Sequence, residues 1–89
     1  MASESDVKLV YFAWVRERIG KAEEEIDLPL EVTTVAQLLV FLRERGEEYR
    51  NALVRPEVIR VAIDHEHVDH QREIAGAREI ALFPPMTGG

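Results

Sequence analysis

The chain has 89 residues, no cysteine, 46% hydrophobic residues and a formal net charge of −6. A chain of this size supports one domain around one core. The lack of cysteine excludes a disulfide framework, a thiolate metal site and a cysteine nucleophile. The acidic balance argues against nucleic acid and anionic membranes and suits a basic protein partner.

The first residues, Met1 to Asp6, have neither the basic region nor the apolar run of a signal peptide. No stretch approaches the roughly 20 apolar residues of a membrane span. The expectation is a soluble, cytoplasmic protein.

Val7–Trp14 predicts a strand with Leu9 and Tyr11 on one face and Val10, Phe12 and Trp14 on the other. Both faces are largely apolar, as in a central strand. Val15–Ile19 predicts a short helix that Gly20 can end in a left-handed conformation. Glu24–Leu28 predicts a second strand, with Glu25 and Asp27 opposite Glu24, Ile26 and Leu28, and Pro29 then blocks its ladder.

Thr34–Gly46 carries the clearest helical pattern. Thr34 and Gln37 have capping-box spacing. Val35, Leu38, Leu39 and Leu42 form one apolar stripe. Arg43 and Arg45 fall where the helix dipole favours cations, and Gly46 suits the position just past the end. Glu47–Leu53 predicts a further turn of helix. Val58–Asp64 is a strand with Ile59, Val61 and Ile63 on one face; Asp64 to His67 form a turn, and Val68 begins a short return strand. Ala75-Gly76-Ala77 is another turn. Glu79–Phe83 is the last strand, with Ile80 and Leu82 inward, and Pro84-Pro85 ends it because proline cannot donate to a ladder.

A hairpin, one amphipathic helix and later strands make an α+β chain with a single covered sheet face. That order is a β-grasp, the ubiquitin-like fold: a mixed sheet of four to five strands with one main helix. Residues 1–83 form this domain, and residues 84–89 form a tail.

The tail holds the chemistry. Pro84 and Pro85 stiffen its exit in an extended form. Six residues reach roughly 20 Å at ~3.3 Å per residue, far enough to enter another protein's active site. Gly88 and Gly89 have no side chains, so the backbone can thread a narrow channel. With Gly89 as the terminal residue, its carboxylate is the working group. A carboxylate resists nucleophiles until an ATP-using enzyme converts it to an acyl-adenylate. A sulfur donor then leaves a thiocarboxylate, and a lysine leaves an isopeptide bond.

Other residues invite a functional reading. His65, His67 and His70 interleave with Glu66 and Asp69, a set able to ligate zinc or nickel. At a predicted turn they read better as a solvated hairpin, so no metal site is assigned. Glu23-Glu24-Glu25 and Glu47-Glu48 read as solvated faces, with docking of a basic partner as the alternative. Phe12, Trp14 and Arg16 form an exposed docking patch if the helix covers the Leu9–Tyr11 face, and core if it does not; Phe83 joins the patch or anchors the root of the tail. No catalytic triad, P-loop, zinc spacing or dinucleotide fingerprint is present, so the domain alone carries no catalytic constellation.

The run Phe83-Pro84-Pro85-Met86-Thr87-Gly88-Gly89 resembles the C-terminus of molybdopterin synthase small subunits, which end in Phe-Pro-Pro, two variable residues and Gly-Gly. Tyr11 to Gly20 is similar to that family's first strand and short helix. The likeness spans almost the whole chain. One departure is Ala75-Gly76-Ala77, where the family often has an acidic-Gly-acidic turn. The resemblance implies a sulfur carrier with no permanently bound cofactor. An E1-like adenylyltransferase would activate Gly89 with ATP, and a sulfur donor would convert it to a thiocarboxylate. Pro84 to Gly89 would then enter the large synthase subunit and deliver sulfur to a pyranopterin precursor in molybdenum cofactor biosynthesis. The alternatives are a carrier for thiamine or tRNA thiolation, a ubiquitin-like modifier conjugated through Gly89, and a non-catalytic β-grasp interaction module with an idle tail.

Overall fold

Alternation of apolar residues builds the centre of the sheet. In a computed structural model, which describes residues 6–85, β1 (Asp6–Tyr11) buries Val7, Leu9 and Tyr11, and β5 (Glu79–Phe83) buries Ile80 and Leu82. These two strands pair in parallel, Leu9 opposite Ile80 and Tyr11 opposite Leu82. β2 (Glu23–Asp27) runs antiparallel to β1, β3 (Arg60–Ile63) antiparallel to β5, and β4 (Glu66–Val68) antiparallel to β3. The order β2-β1-β5-β3-β4 puts the first and last strands at the middle. This is the expected α+β, ubiquitin-like β-grasp.

The helices close one side of the sheet. α2 (Val35–Arg43) inserts Val35, Leu38, Leu39 and Leu42 into a single cluster with Leu9, Tyr11, Val61, Ile80 and Leu82. α1 (Ala13–Ile19) adds Val15 and Ile19, and α3 (Glu47–Ala52) adds Tyr49 and Ala52. Burying each large aliphatic side chain is worth about 1.5–3 kcal/mol, so this one-sided cluster carries most of the stability.

Local signals set the boundaries. Thr34 Oγ1 accepts from the Gln37 N–H at 3.2 Å, and Gln37 Oε1 accepts from the Thr33 N–H at 2.7 Å. The reciprocal arm of the capping pattern therefore reaches one residue further upstream than a standard capping box. Gly20 ends α1 at φ 92, the left-handed position its lack of a Cβ permits. Gly76 takes φ 82 in the turn before β5.

Four expectations need correction. β1 ends at Tyr11, because Ala13 turns to φ 53 and the Phe12 carbonyl caps α1, accepting from Val15 at 3.1 Å and Arg16 at 3.3 Å. Trp14 is therefore helical and shares no strand face with Phe12. α2 stops at Arg43, tightened by bonds from Glu44 N–H to Phe41 O and Arg45 N–H to Leu42 O; Gly46 is extended and opens α3. Residues 56–58 form a 3-10 turn, so β3 starts at Arg60. The β3–β4 turn is Asp64-His65 alone, both with positive φ as a tight two-residue hairpin requires, and Glu66 and His67 are already in β4.

Candidate functional site

The strand that feeds the tail is held on both sides. Ala81 pairs with Val10 and with Ala62, and Phe83 lies opposite Arg60. Beyond the β1–β5 ladder the Phe12 N–H still donates to Leu82 O at 3.1 Å. Anything pulling on the tail therefore pulls against the middle of the sheet. Pro84 and Pro85 follow, half-buried, and Pro85 lines a hollow of about 390 Å3 with Glu57, Arg60, Asp69 and His70. Met86, Thr87, Gly88 and Gly89 lie outside the described residues.

Strand alternation sends Phe83 to the face opposite the helices. Its ring meets Phe12 edge-on, centroids 6.5 Å apart, and His67 edge-on at 5.2 Å. Phe12 is 49% exposed. In register beside them lie Val10, Ala62 and Ala81, so the root of the tail emerges from a small apolar field. Edge-to-face contacts of this kind add roughly 0.5–1.5 kcal/mol beyond area burial and hold the rings in place.

The other two candidate docking residues lie on α1. Trp14 is half-buried against the core, with the Arg18 guanidinium 4.4 Å from its ring centroid, and Arg16 is exposed. His67 joins Phe12 and Phe83 although the sequence pointed to it only as part of a histidine cluster. The pairing Ala62↔His67, one strand beyond Ala62↔Ala81, places it there.

The three histidines diverge. His65 Nε2 lies 3.8 Å from Glu79, His67 packs on Phe83, and His70 Nε2 meets the Ile59 carbonyl at 2.7 Å. No group of three potential ligands converges among the described residues.

The run Glu23-Glu24-Glu25 is sorted by face. Glu23 and Glu25 are exposed on the open side, opposite Val10 and Lys8, and Glu23 pairs with Lys8 at 3.4 Å. Glu24 turns inward, and both Tyr11 and Tyr49 donate to its Oε2 at 2.6 Å. Lys21 and Arg45 each lie 3.4 Å from Oε1. Burial alone would raise the Glu24 carboxyl, but the two phenols and two cations outweigh it and hold the carboxyl below its ordinary range. Burial, then the bond to Glu24, pushes the Tyr11 phenol far up. Tyr49, then Glu24, raises the Lys21 ammonium. The clamp ties β1, β2 and α3 together behind the strand pair that carries the tail. It is structural, for it faces the helix side.

No helix among the described residues is long and apolar enough to cross a membrane.

Comparison with known proteins agrees with this architecture. The ThiS family matches residues 9–89. A molybdopterin synthase sulfur carrier subunit of Dictyostelium discoideum is 34% identical over 84 residues, covering 92% of this chain and 94% of its own. One from Haemophilus influenzae is 30% identical, covering 93% and 99%. The crystal structure of small archaeal modifier protein 1 from Haloferax volcanii superposes with a TM-score of 0.70, covering 92% of this chain and 99% of that one; at 23% identity this is a likeness of fold.

Proposed function

This chain belongs to the ThiS family, and on that premise we propose that it is a sulfur carrier, the small subunit of a molybdopterin synthase, with the Gly89 acyl group as its cargo hook. The observation that carries the reading is the run Phe83 to Gly89, launched from the middle strand of a β-grasp. The family match continues to residue 89, and the relatives named as molybdopterin synthase sulfur carrier subunits are covered over nearly their full length.

The steps follow from carboxylate chemistry. A Gly89 carboxylate oxygen attacks the α-phosphate of ATP on an E1-like adenylyltransferase, and pyrophosphate leaves. Hydrosulfide from a sulfur donor attacks the acyl carbon and AMP leaves, so the chain ends in a thiocarboxylate. The large synthase subunit then takes residues 84–89 into its active site; the thiocarboxylate sulfur bonds to a pyranopterin precursor, and water cleaves the acyl C–S bond, leaving the sulfur on the pterin and a carboxylate on Gly89. This chain contributes the sulfur, a slim backbone and a rigid base; the large subunit contributes the pterin pocket and the acid–base groups. ATP is consumed on the activating enzyme, and this chain keeps no resident cofactor.

Phe12 and Phe83, joined by His67, are the docking surface that the tail-receiving protein covers first. It lies at the root of the tail, and aromatic anchors of this type concentrate binding energy. Trp14 and Arg16 contribute from the adjoining helix at its margin.

The test is incubation of the mature protein with its cognate activating enzyme, ATP and a sulfur donor, followed by intact mass measurement. The reading requires a chain that ends at Gly89 and gains the mass difference between sulfur and oxygen. It also requires a stable complex with a larger pterin-binding subunit. Transfer of the chain onto lysines of other proteins would support the modifier reading instead. Activation without a synthase partner, with sulfur passed to thiamine or tRNA, would assign it to another thiolation pathway.

A further inference from the structure

The helix side carries a second surface that tail delivery does not use. The loop after β2 lies between two hollows that share Pro29 and Val32. One, about 510 Å3, opens toward Val40 and Phe41 of α2. The other, about 400 Å3, opens toward Ile74 and the Ala75–Ala77 turn. Leu30, in the lining of the second, is 91% exposed, and Val40 of α2, in the lining of the first, is 52% exposed. Large aliphatic side chains this bare, grouped around concave apolar surface, mark an interaction site.

Its position separates it from the tail. The loop follows the end of β2, where Asp27 pairs with Asp6. The tail leaves from the other end of the sheet, beyond the Tyr11↔Leu82 pair. Phe12 and Phe83 lie on the open face; the hollows flank the loop at the far end, one of them against α2.

Charge decides the occupant. Among the described residues, the charged ones lining the two hollows are Glu31, Glu44 and Glu73, all acidic; Arg43 and Arg50 border Val40 and Glu44 in a separate hollow. A second copy of this chain would bring like charges together across the contact, which disfavours self-association. A segment with apolar anchors flanked by lysine or arginine would fill the hollows and meet the glutamates. We propose that the surface around Leu30 and Val40 is a docking site for a basic amphipathic segment of a partner protein, able to hold the carrier while its tail is engaged elsewhere.

The experiment uses the full chain, labelled with nitrogen-15, titrated with a designed helical peptide bearing leucine anchors flanked by lysine and arginine. A control peptide replaces every cation with glutamate. The basic peptide should give saturable shifts at Val32, Val40 and Ile74, leaving Phe12 and Phe83 unmoved. Its affinity should fall severalfold as salt rises from about 0.05 to 0.3 M, because the Debye length shrinks across that range. Val40→Asp should abolish binding with a native spectrum elsewhere. The double charge reversal Glu31→Lys with Glu44→Lys should weaken the basic peptide about tenfold and favour the control. Equal binding of both peptides, no binding, shifts centred on Phe12 and Phe83, or concentration-dependent shifts without peptide would each overturn the proposal. None of these readouts depends on sulfur transfer, so failure here leaves the carrier function standing.

Discussion

The two faces of the sheet are built for different tasks. On the helix side Val7, Leu9, Tyr11, Val61, Ile63, Ile80 and Leu82 are all buried, and Glu24, the charged group turned that way on β2, is tied by two phenols and two cations. On the open side Val10, Ala81 and Phe83 remain half-buried and Phe12 stands half in solvent. The same strands supply both faces, one residue out of phase. Stability is concentrated on one, and on the proposed function the other receives the partner. Substitutions should therefore separate cleanly: those on the helix side change melting, and those on the open side or in the tail change transfer.

The largest expected effect lies on the functional side. Deleting Gly89 should abolish sulfur transfer while the melting temperature moves by less than about 1 °C, since the core that holds the fold is built from side chains between Val7 and Leu82 and a glycine has none to bury. Calorimetry alongside a transfer assay checks both halves, and a marked fall in melting temperature would break the separation.

Next comes the reverse case. Leu9→Ala opens a cavity under the sheet beside Ile80 and should cost about 2–5 kcal/mol. For a domain of this size each kcal/mol lowers the melting temperature by roughly 4–8 °C. At a temperature where the variant stays folded, the partner affinity should be unchanged.

Phe83→Ala sharpens the comparison, because it sits on the tail-bearing strand but on the open face. Loss of an aromatic anchor should weaken the tail-receiving partner by about 2 kcal/mol, close to thirtyfold. Melting should move far less than for Leu9→Ala. Titration calorimetry with the large subunit reads the first effect, and thermal unfolding reads the second.

The smallest effect tests the clamp. The Glu24 carboxyl is held below its ordinary value in the folded chain. Its contribution is therefore fully present above the unfolded carboxylate pKa of about 4.3 and is lost as pH falls through the lower folded value. Glu24→Gln should cost about 1–2 kcal/mol at neutral pH and flatten this part of the acid-induced loss. Denaturant unfolding from pH 7 to pH 2 measures both. An unchanged acid limb in the variant would remove the clamp from the account.

Much of this was legible in the chain. The period-two pattern before two prolines fixed β5 to its true ends, and Thr34 with Gln37 fixed the start of α2. The family was legible because the Phe83-Pro84-Pro85 and Gly88-Gly89 signature depends on residue type and order rather than on packing. What stayed hidden was non-local or ambiguous. Ala13 takes φ 53, which no periodicity encodes, so alternation alone carries the strand on to Trp14. Gly46 suits both the end of one helix and the start of the next, and spacing alone does not choose between them. Glu24 lies between two other glutamates and reads as surface until Tyr49, 25 residues away, donates to it. His67 reaches Phe83 only through the strand order β5-β3-β4.

The central claim is that the sulfur travels on the Gly89 acyl group. The most direct measurement uses the carrier charged with an isotopically heavy sulfur donor, freed of excess donor, and mixed with the large subunit and the pterin precursor. Fragmentation of the charged chain should place the heavy atom on Gly89, and the dithiolene product should acquire it as the chain returns to a carboxylate. Heavy sulfur on any other residue, or a product whose sulfur is light, would contradict the account.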